Sequence, residues 1–220
     1  MEIITQSYPV RKFEVNYDWQ EIQARYLKLY AALVSDALEH LGYHRQCMSS
    51  GIYPLTPSRD TKVHDIRLGM FKSMNQGVVQ IRDTQGDISC GQFGEISATA
   101  AHAHGCVGAV IDGSTRDSNY LIDMGFPTFS RFRNPVEAFG RFMVVDYQIP
   151  IYVKGMDGLL QVNPGDYIFG DNDGVVVVPF DLTIQVLELA EEWFASEAKS
   201  RQAMATGRDP FDVYEEFGRF

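Results

Sequence analysis

GEISATAAHAHGCVGAVIDGSTRD, residues 94–117, is the stretch on which the reading of the fold depends. Glu95 follows Gly94, and the small, helix-favouring residues from Ile96 to His104 predict a helix. Gly105 suits the left-handed position that ends one. Val107 to Ile111 then predicts a short buried strand, closed by a turn at Asp112-Gly113. A helix of about ten residues advances ~15 Å and a strand of about six returns ~20 Å. The chain goes out and comes back, so Glu95 and Arg116-Asp117 are expected at one end of the unit.

That placement joins three chemical resources. The first turn of a helix exposes backbone N–H groups without intrahelical partners, and these favour an anion. Arg116 adds a planar fork suited to a carboxylate or enolate oxygen. Glu95 and Asp117 could hold a hard divalent cation whose shell is completed by water. Together they suit a 2-oxo acid. Spacing alone favours a blander reading, a surface ion pair of Arg116 with Asp117 or Glu95 beside an ordinary helix cap.

The pattern also resembles a known family. Gly94-Glu95, twenty intervening residues after Glu95, and then Arg116-Asp117 are similar to the signature of the RraA-like family, which includes the class II 4-hydroxy-4-methyl-2-oxoglutarate (HMG) aldolases. Leu33-Val34-Ser35-Asp36-Ala37-Leu38 with Gly42, and the segment Met48 to Pro57, resemble its early elements. Gly125 to Phe129, Pro164-Gly165-Asp166 and Gly170 to Pro179 resemble its later strands and turns. The similarity covers roughly residues 30–180. It implies a swivelling β/β/α fold, α+β in class, assembled as a homotrimer or homohexamer with sites near subunit interfaces.

The resemblance also implies a mechanism. Mg²⁺ or Mn²⁺ is held by Asp117, with Glu95 acting through a water. The N–H groups of Ile96 and Ser97, next to Gly94, receive the substrate carboxylate. Arg116 stabilises the enolate, and a water oriented by Glu95 takes the C4 hydroxyl proton. A 4-hydroxy-2-oxo acid would give pyruvate and a carbonyl compound, and oxaloacetate would be decarboxylated by the same enolate chemistry. Family members often carry an acid three positions after the Arg-Asp aspartate. Tyr120 stands there in this chain, which leaves acceptor specificity open. The family also includes regulators that bind and inhibit a ribonuclease, which is the alternative reading.

Composition sets outer limits. The 220 residues suffice for one domain with a sizeable core, and no internal repeat or linker divides them. With 29 acidic against 19 basic residues the net charge is −10, which argues against a general nucleic-acid or anionic-membrane surface. No apolar run approaches the ~20 residues of a membrane span, and no basic-then-apolar leader opens the chain. Cys47, Cys90 and Cys106 lack C-x-x-C spacing and suit reduced thiols in a cytoplasmic protein.

Elsewhere, residues 1–15 are expected to form an arm, and Trp19 to Leu41 one or two helices. Ser35 and Asp36 could restart a helix as a cap, or Asp36 could face the pocket. Strands are expected over 60–73, Val78–Arg82, Phe126–Phe129, Ile149–Val153, Gly158–Val162, Tyr167–Gly170 and Val175–Val178, with a short helix from Ser118 to Met124. Phe132, Phe139 and Phe142 are expected in the core or a subunit contact. Leu182 to Ala205 predicts an amphipathic helix with Ile184, Leu187, Ala190 and Phe194 on its inner stripe. The tail RDPFDVYEEFGRF carries four aromatics in thirteen residues, which suggests docking, for instance onto a neighbouring subunit.

Other chemistries fit less well. There is no G-x-S-x-G elbow for Ser97, no P-loop and no Rossmann fingerprint. His102 and His104, two apart on a helix, point in different directions and cannot easily share a metal. Lys62, Lys72 and Lys154 sit in polar or turn contexts unsuited to a Schiff base. Asp171-Asn172-Asp173-Gly174 lacks the oxygen spacing of a calcium loop and reads as a tight turn.

Overall fold

A computed structural model describes residues 17–44, 46–48, 53–54, 70, 74–138, 140–142 and 144–218. The arm expected over 1–15, most of the strand expected over 60–73, Lys62, Lys72 and Phe139 lie outside them. Helices α1 (Trp19–Tyr26) and α2 (Ala31–His40) come first. Strands β1 (Tyr53–Pro54) and β2 (Val78–Arg82), helix α3 (Glu95–His102), strand β3 (Cys106–Thr115), helix α4 (Ser118–Asp123) and strand β4 (Thr128–Arg133) form the middle of the chain. The hairpins β5 (Ile151–Gly155) with β6 (Gly158–Val162) and β7 (Tyr167–Asp171) with β8 (Gly174–Val178) follow, and then α5 (Thr183–Ala205) and α6 (Pro210–Phe217).

The sheet order is β1-β4-β3-β2, with β2, β3 and β4 mutually parallel and β1 antiparallel on β4. Period-two alternation along β3 separates two cores. Val110 packs with Phe129 of β4 and with Val153, Leu160 and Val177 of the hairpins, whereas Ala109 and Ile111 pack with Ala98 and Ala101 of α3 and Leu121 of α4. In β8 the same alternation sends Val175 and Val177 to the sheet, and Val176 and Val178 to α1, α2 and α5. A strand buried on both faces must be apolar throughout, as this one is. The layers are therefore helices, hairpins, sheet and helices, which contains the expected β/β/α arrangement with helices at both ends. Among the described residues no helix is long and apolar enough to cross a membrane, and the cysteines are free thiols.

Several expectations are corrected. The first helical region breaks at Leu27–Tyr30, so Ser35 and Asp36 lie inside α2 rather than capping it. Asp171 Oδ2 accepts the Ala31 amide at 2.8 Å instead, and ties α2 to the β7–β8 turn. Asp36 is exposed, in the layer across the hairpins from α3 and α4. On α5 the buried stripe is Thr183, Val186, Leu187, Ala190, Glu197 and Ser200, while Phe194 reaches the surface. Phe132 is 57% exposed, so of the two places expected for it the core is excluded and a subunit contact stays open. The tail forms α6, with Pro210 at its first position and Asp209 capping the Phe211 amide. It folds back on its own α5, burying Val213 and leaving Phe211 and Tyr214 exposed.

The largest departure is at Asp112-Gly113. No turn forms there, and β3 runs on for ten residues with a register irregularity between Ile111 and Ser114. Asp112 is buried in an ion pair with Arg131 of β4, and burial pushes its carboxyl up against the pull of that guanidinium. Removing one partner of such a pair leaves the other charge buried. Asp112→Ala is expected to lower stability by about 3–5 kcal/mol, whereas Asp112→Ala with Arg131→Met should recover much of the loss. Denaturant melts of the three proteins check this. An Asp112→Ala midpoint equal to wild type would show that the pair carries no stability.

Candidate active site

The site forms at the carboxyl ends of β2, β3 and β4, where open α/β sheets present ligand-binding loops. Strand β3 ends at Thr115, and the segment entering α3 lies alongside it. The Arg116 amide donates to Phe93 O at 2.8 Å, and Thr115 Oγ1 donates to the same oxygen at 3.0 Å. One step further along each segment, the Glu95 amide donates to Asp117 Oδ2 at 3.1 Å. Arg116 Nε stands 3.5 Å from that carboxylate oxygen. The Glu95 backbone thus meets Asp117 beside Arg116 at one end of the unit, while the Glu95 carboxylate takes a hydrogen bond from Thr99.

Local backbone chemistry makes this possible. Asp117 adopts φ 56, ψ 33, a left-handed conformation that Asp tolerates better than most L residues. Gly94 is extended, so its value is steric: a Cβ there would lie 2.3 Å from Asp117 Oδ2. A Cβ on Gly91 would lie 2.7 Å from Arg116 Cβ. Gly94 also caps α3 without a side chain. Among the described residues no acceptor meets the Ile96 and Ser97 amides, so the first turn keeps donors for an anion.

The donor set fits one kind of metal. Thr99 Oγ1 donates to Glu95 Oε1 at 2.8 Å, and Asp117 Oδ2 is engaged as described. Each carboxylate keeps an oxygen without a protein partner among the described residues. No cluster of three or more His, Cys, Asp or Glu that could hold a metal occurs there. Two partly exposed hard oxygen donors without a closed cage suit Mg²⁺ or Mn²⁺, which retain waters and take substrate oxygens. They do not suit structural zinc. The histidines are elsewhere engaged: His102 meets the Phe126 ring edge-on at 6.1 Å, and His104 Nδ1 lies 2.8 Å from Ala100 O. Lys154 is exposed on β5.

A supporting shell behind the site was not legible in the sequence. Gln92 is buried, its Oε1 accepts the Ser114 amide at 2.7 Å, and its Nε2 donates to Asp87 O and Asp87 Oδ2, each at 2.8 Å. Arg82 Nη1 donates to Gln92 O, and the guanidinium lies 4.9 Å from the Phe93 ring centroid. Gly113 belongs to this shell rather than to a turn, since a Cβ would meet Thr84 Oγ1 at 2.3 Å and Asp87 O at 2.6 Å. The available signal was an arginine closing the apolar strand Val78–Arg82.

Comparison with known proteins places the chain. Residues 31–177 match the RraA-like family, described as Aldolase/RraA. The chain belongs to the RraA-like family. The matched span runs from α2 into β8 and includes Gly94, Glu95, Arg116 and Asp117. A relative from Halalkalibacterium halodurans, named "Putative 4-hydroxy-4-methyl-2-oxoglutarate aldolase", is 29% identical over 183 residues, covering 78% of this chain and 83% of the relative. Protein DlpA of Legionella pneumophila is 25% identical over 192 residues, or 80% of this chain. The match spans only 30% of DlpA's own length. The crystal structure of an uncharacterized protein from Pseudomonas syringae pv. tomato superposes with a TM-score of 0.77 at 28% identity, covering 88% of this RraA-like chain and 96% of that one.

Proposed function

We propose that this RraA-like chain is a divalent-metal-dependent lyase that cleaves a 4-hydroxy-2-oxo acid to pyruvate and a carbonyl compound. The observation that carries the reading is the contact of the Glu95 amide with Asp117 beside Arg116 at the start of α3, next to the open Ile96 and Ser97 amides. Mg²⁺ or Mn²⁺, held by Asp117 and reached by Glu95 through water, would supply Lewis-acid polarisation of the 2-keto group. The Ile96 and Ser97 amides bind the substrate carboxylate, and Arg116 faces the keto oxygen. Glu95 orients a water that removes the C4 hydroxyl proton. The C3–C4 bond then breaks, the C4 carbonyl forms, and the electron pair moves into a pyruvate enolate stabilised by Arg116. Protonation at C3 completes pyruvate. Oxaloacetate would lose CO₂ through the same enolate.

The test is a panel of 4-hydroxy-2-oxo acids assayed by coupled pyruvate detection. Release is expected with Mg²⁺ or Mn²⁺ and should vanish in excess chelator, returning when metal is restored. Full activity in chelator, or borohydride trapping of the enzyme with pyruvate, would contradict the metal-enolate reading. Inactivity on the whole panel, together with inhibition of a ribonuclease, would move the protein to the regulatory side of its family.

Assembly belongs to the same proposal. Ile96 and Tyr120 are each 66% exposed beside the site, and Phe132 at the end of β4 is 57% exposed. Such apolar side chains around a polar site suit burial by a second copy. Light scattering at micromolar concentration is expected to report a trimer or hexamer, and a fully active monomer would overturn that expectation.

A further inference from the structure

We propose that Gln92 is a positioning residue, the buried clasp that holds Glu95 in register with Arg116-Asp117; as a statement about turnover this rests on the lyase reading above. The site is assembled from two segments that share no helix and only short strand pairing. One is the loop after β2 entering α3, and the other is the end of β3. Their backbones join through Gln92 N to Ser114 O at 3.0 Å, the Phe93–Thr115 bridge, and Arg116 N to Phe93 O at 2.8 Å. Gln92 is a buried side chain that bonds to both sides of this seam at once. Its Oε1 accepts from the Ser114 amide on β3, while its Nε2 donates back to Asp87 within the loop, to both the backbone and the carboxylate oxygen.

An amide is the group this location calls for, since it must accept on one side and donate on the other. A carboxylate would set like charges at the 2.8 Å that now separates Gln92 Nε2 from Asp87 Oδ2. An alkyl side chain would leave the Ser114 amide buried without its partner. Asp87 is itself braced, because the Ser89 amide and hydroxyl donate to its two oxygens at 2.9 and 3.0 Å and hold its carboxyl below the usual range. Below Gln92, Arg82 fixes the carbonyl end of the same residue. The clasp ends three residues from Glu95, whose amide must reach Asp117. A displacement of the loop of about 1 Å is enough to cost of order 10²-fold in turnover when catalytic groups lose register.

The test exchanges the two functional groups across the clasp. Gln92→Glu keeps size but opposes Asp87. It should lower kcat by about 10- to 100-fold while leaving the substrate KM within a few-fold. Asp87→Asn alone should be milder. The double variant Asp87→Asn with Gln92→Glu restores an amide facing a carboxylate, though not the bond to Asp87 O, and should recover part of the lost kcat. Amide hydrogen exchange provides a readout independent of activity. At one fixed pH, the Glu95 and Arg116 amides should exchange about 10-fold faster in Gln92→Glu and return toward wild type in the double variant. Wild-type exchange at both amides in Gln92→Glu would overturn the proposal whatever the enzyme's substrate, as would faster exchange that the second substitution fails to repair. Absence of pyruvate release by the wild type, with the exchange pattern as expected, would instead remove the lyase reading and leave the clasp in place.

Discussion

Asp117→Asn is expected to abolish tight metal binding and lower pyruvate release by more than about 100-fold. Substitutions of groups one bond removed from a metal already cost about 10- to 100-fold, so loss of a direct carboxylate ligand should exceed that range. The substitution isolates charge from shape. Asn retains a side-chain oxygen able to accept the Glu95 amide, and it tolerates the left-handed backbone that Asp117 adopts. What disappears is the negative charge beside Arg116, which on the proposed reading also holds the metal. The Arg116–Asp117 pair is partly exposed, with side-chain accessibilities of 31% and 37%, so its loss should change stability by no more than about 1 kcal/mol. A Mn²⁺ titration by calorimetry or spin resonance, set beside a thermal melt, separates the two effects. Unaltered Mn²⁺ affinity in a folded Asp117→Asn protein would remove Asp117 from the metal site.

Arg116→Lys is the second substitution with a large expected effect, and it acts on the other half of the site. Lysine keeps the positive charge but loses the planar fork that can contact two oxygens together. Donors aimed at charge that develops in the transition state are worth about 10²- to 10³-fold each. The kcat of Arg116→Lys is therefore expected to fall by about 10²-fold while Mn²⁺ affinity stays close to that of wild type. Steady-state kinetics with saturating metal reads this directly. A large rise in KM with unchanged kcat would assign Arg116 to ground-state binding alone. Glu95→Asp belongs to the same series and should give impaired but measurable turnover, because the carboxylate is retained one methylene short.

The parts of this molecule that the sequence reveals are the local ones. A helix of small residues, a glycine and an apolar run predict the α3–β3 unit because each signal lies within a few residues of the element it controls. The run Val175 to Val178 is legible because a strand with two buried faces has no polar alternate positions. Glu95 and Arg116-Asp117 reach one end because a helix followed by a strand reverses the chain, although β3 has ten residues where about six were expected.

What escapes the sequence is pairing across distance. Asp112-Gly113 looks like a turn, yet Asp112 is neutralised by Arg131 nineteen residues away, and Gly113 gives room to the loop carrying Thr84 and Asp87. Phe194 fits the periodicity of α5, but a 23-residue helix drifts around its axis and its buried stripe moves on to Glu197 and Ser200. The aromatic tail suggests docking, and the fold shows α6 packed on its own α5 with Phe211 and Tyr214 still exposed. Gln92 gives no pattern at all, because an amide that bridges a seam differs from a surface glutamine only in its partners.

On the proposed reading one residue pair divides its work, Asp117 holding the metal and Arg116 stabilising the enolate. The most direct test is a Mn²⁺ titration followed by pyruvate release for wild type, Asp117→Asn and Arg116→Lys side by side. The expected result is saturable activation of the wild type, saturation at unchanged Mn²⁺ concentration but about 10²-fold lower rate for Arg116→Lys, and no saturable activation for Asp117→Asn. Near-wild-type rates in both variants would contradict the account and leave the pair as an ordinary surface salt bridge.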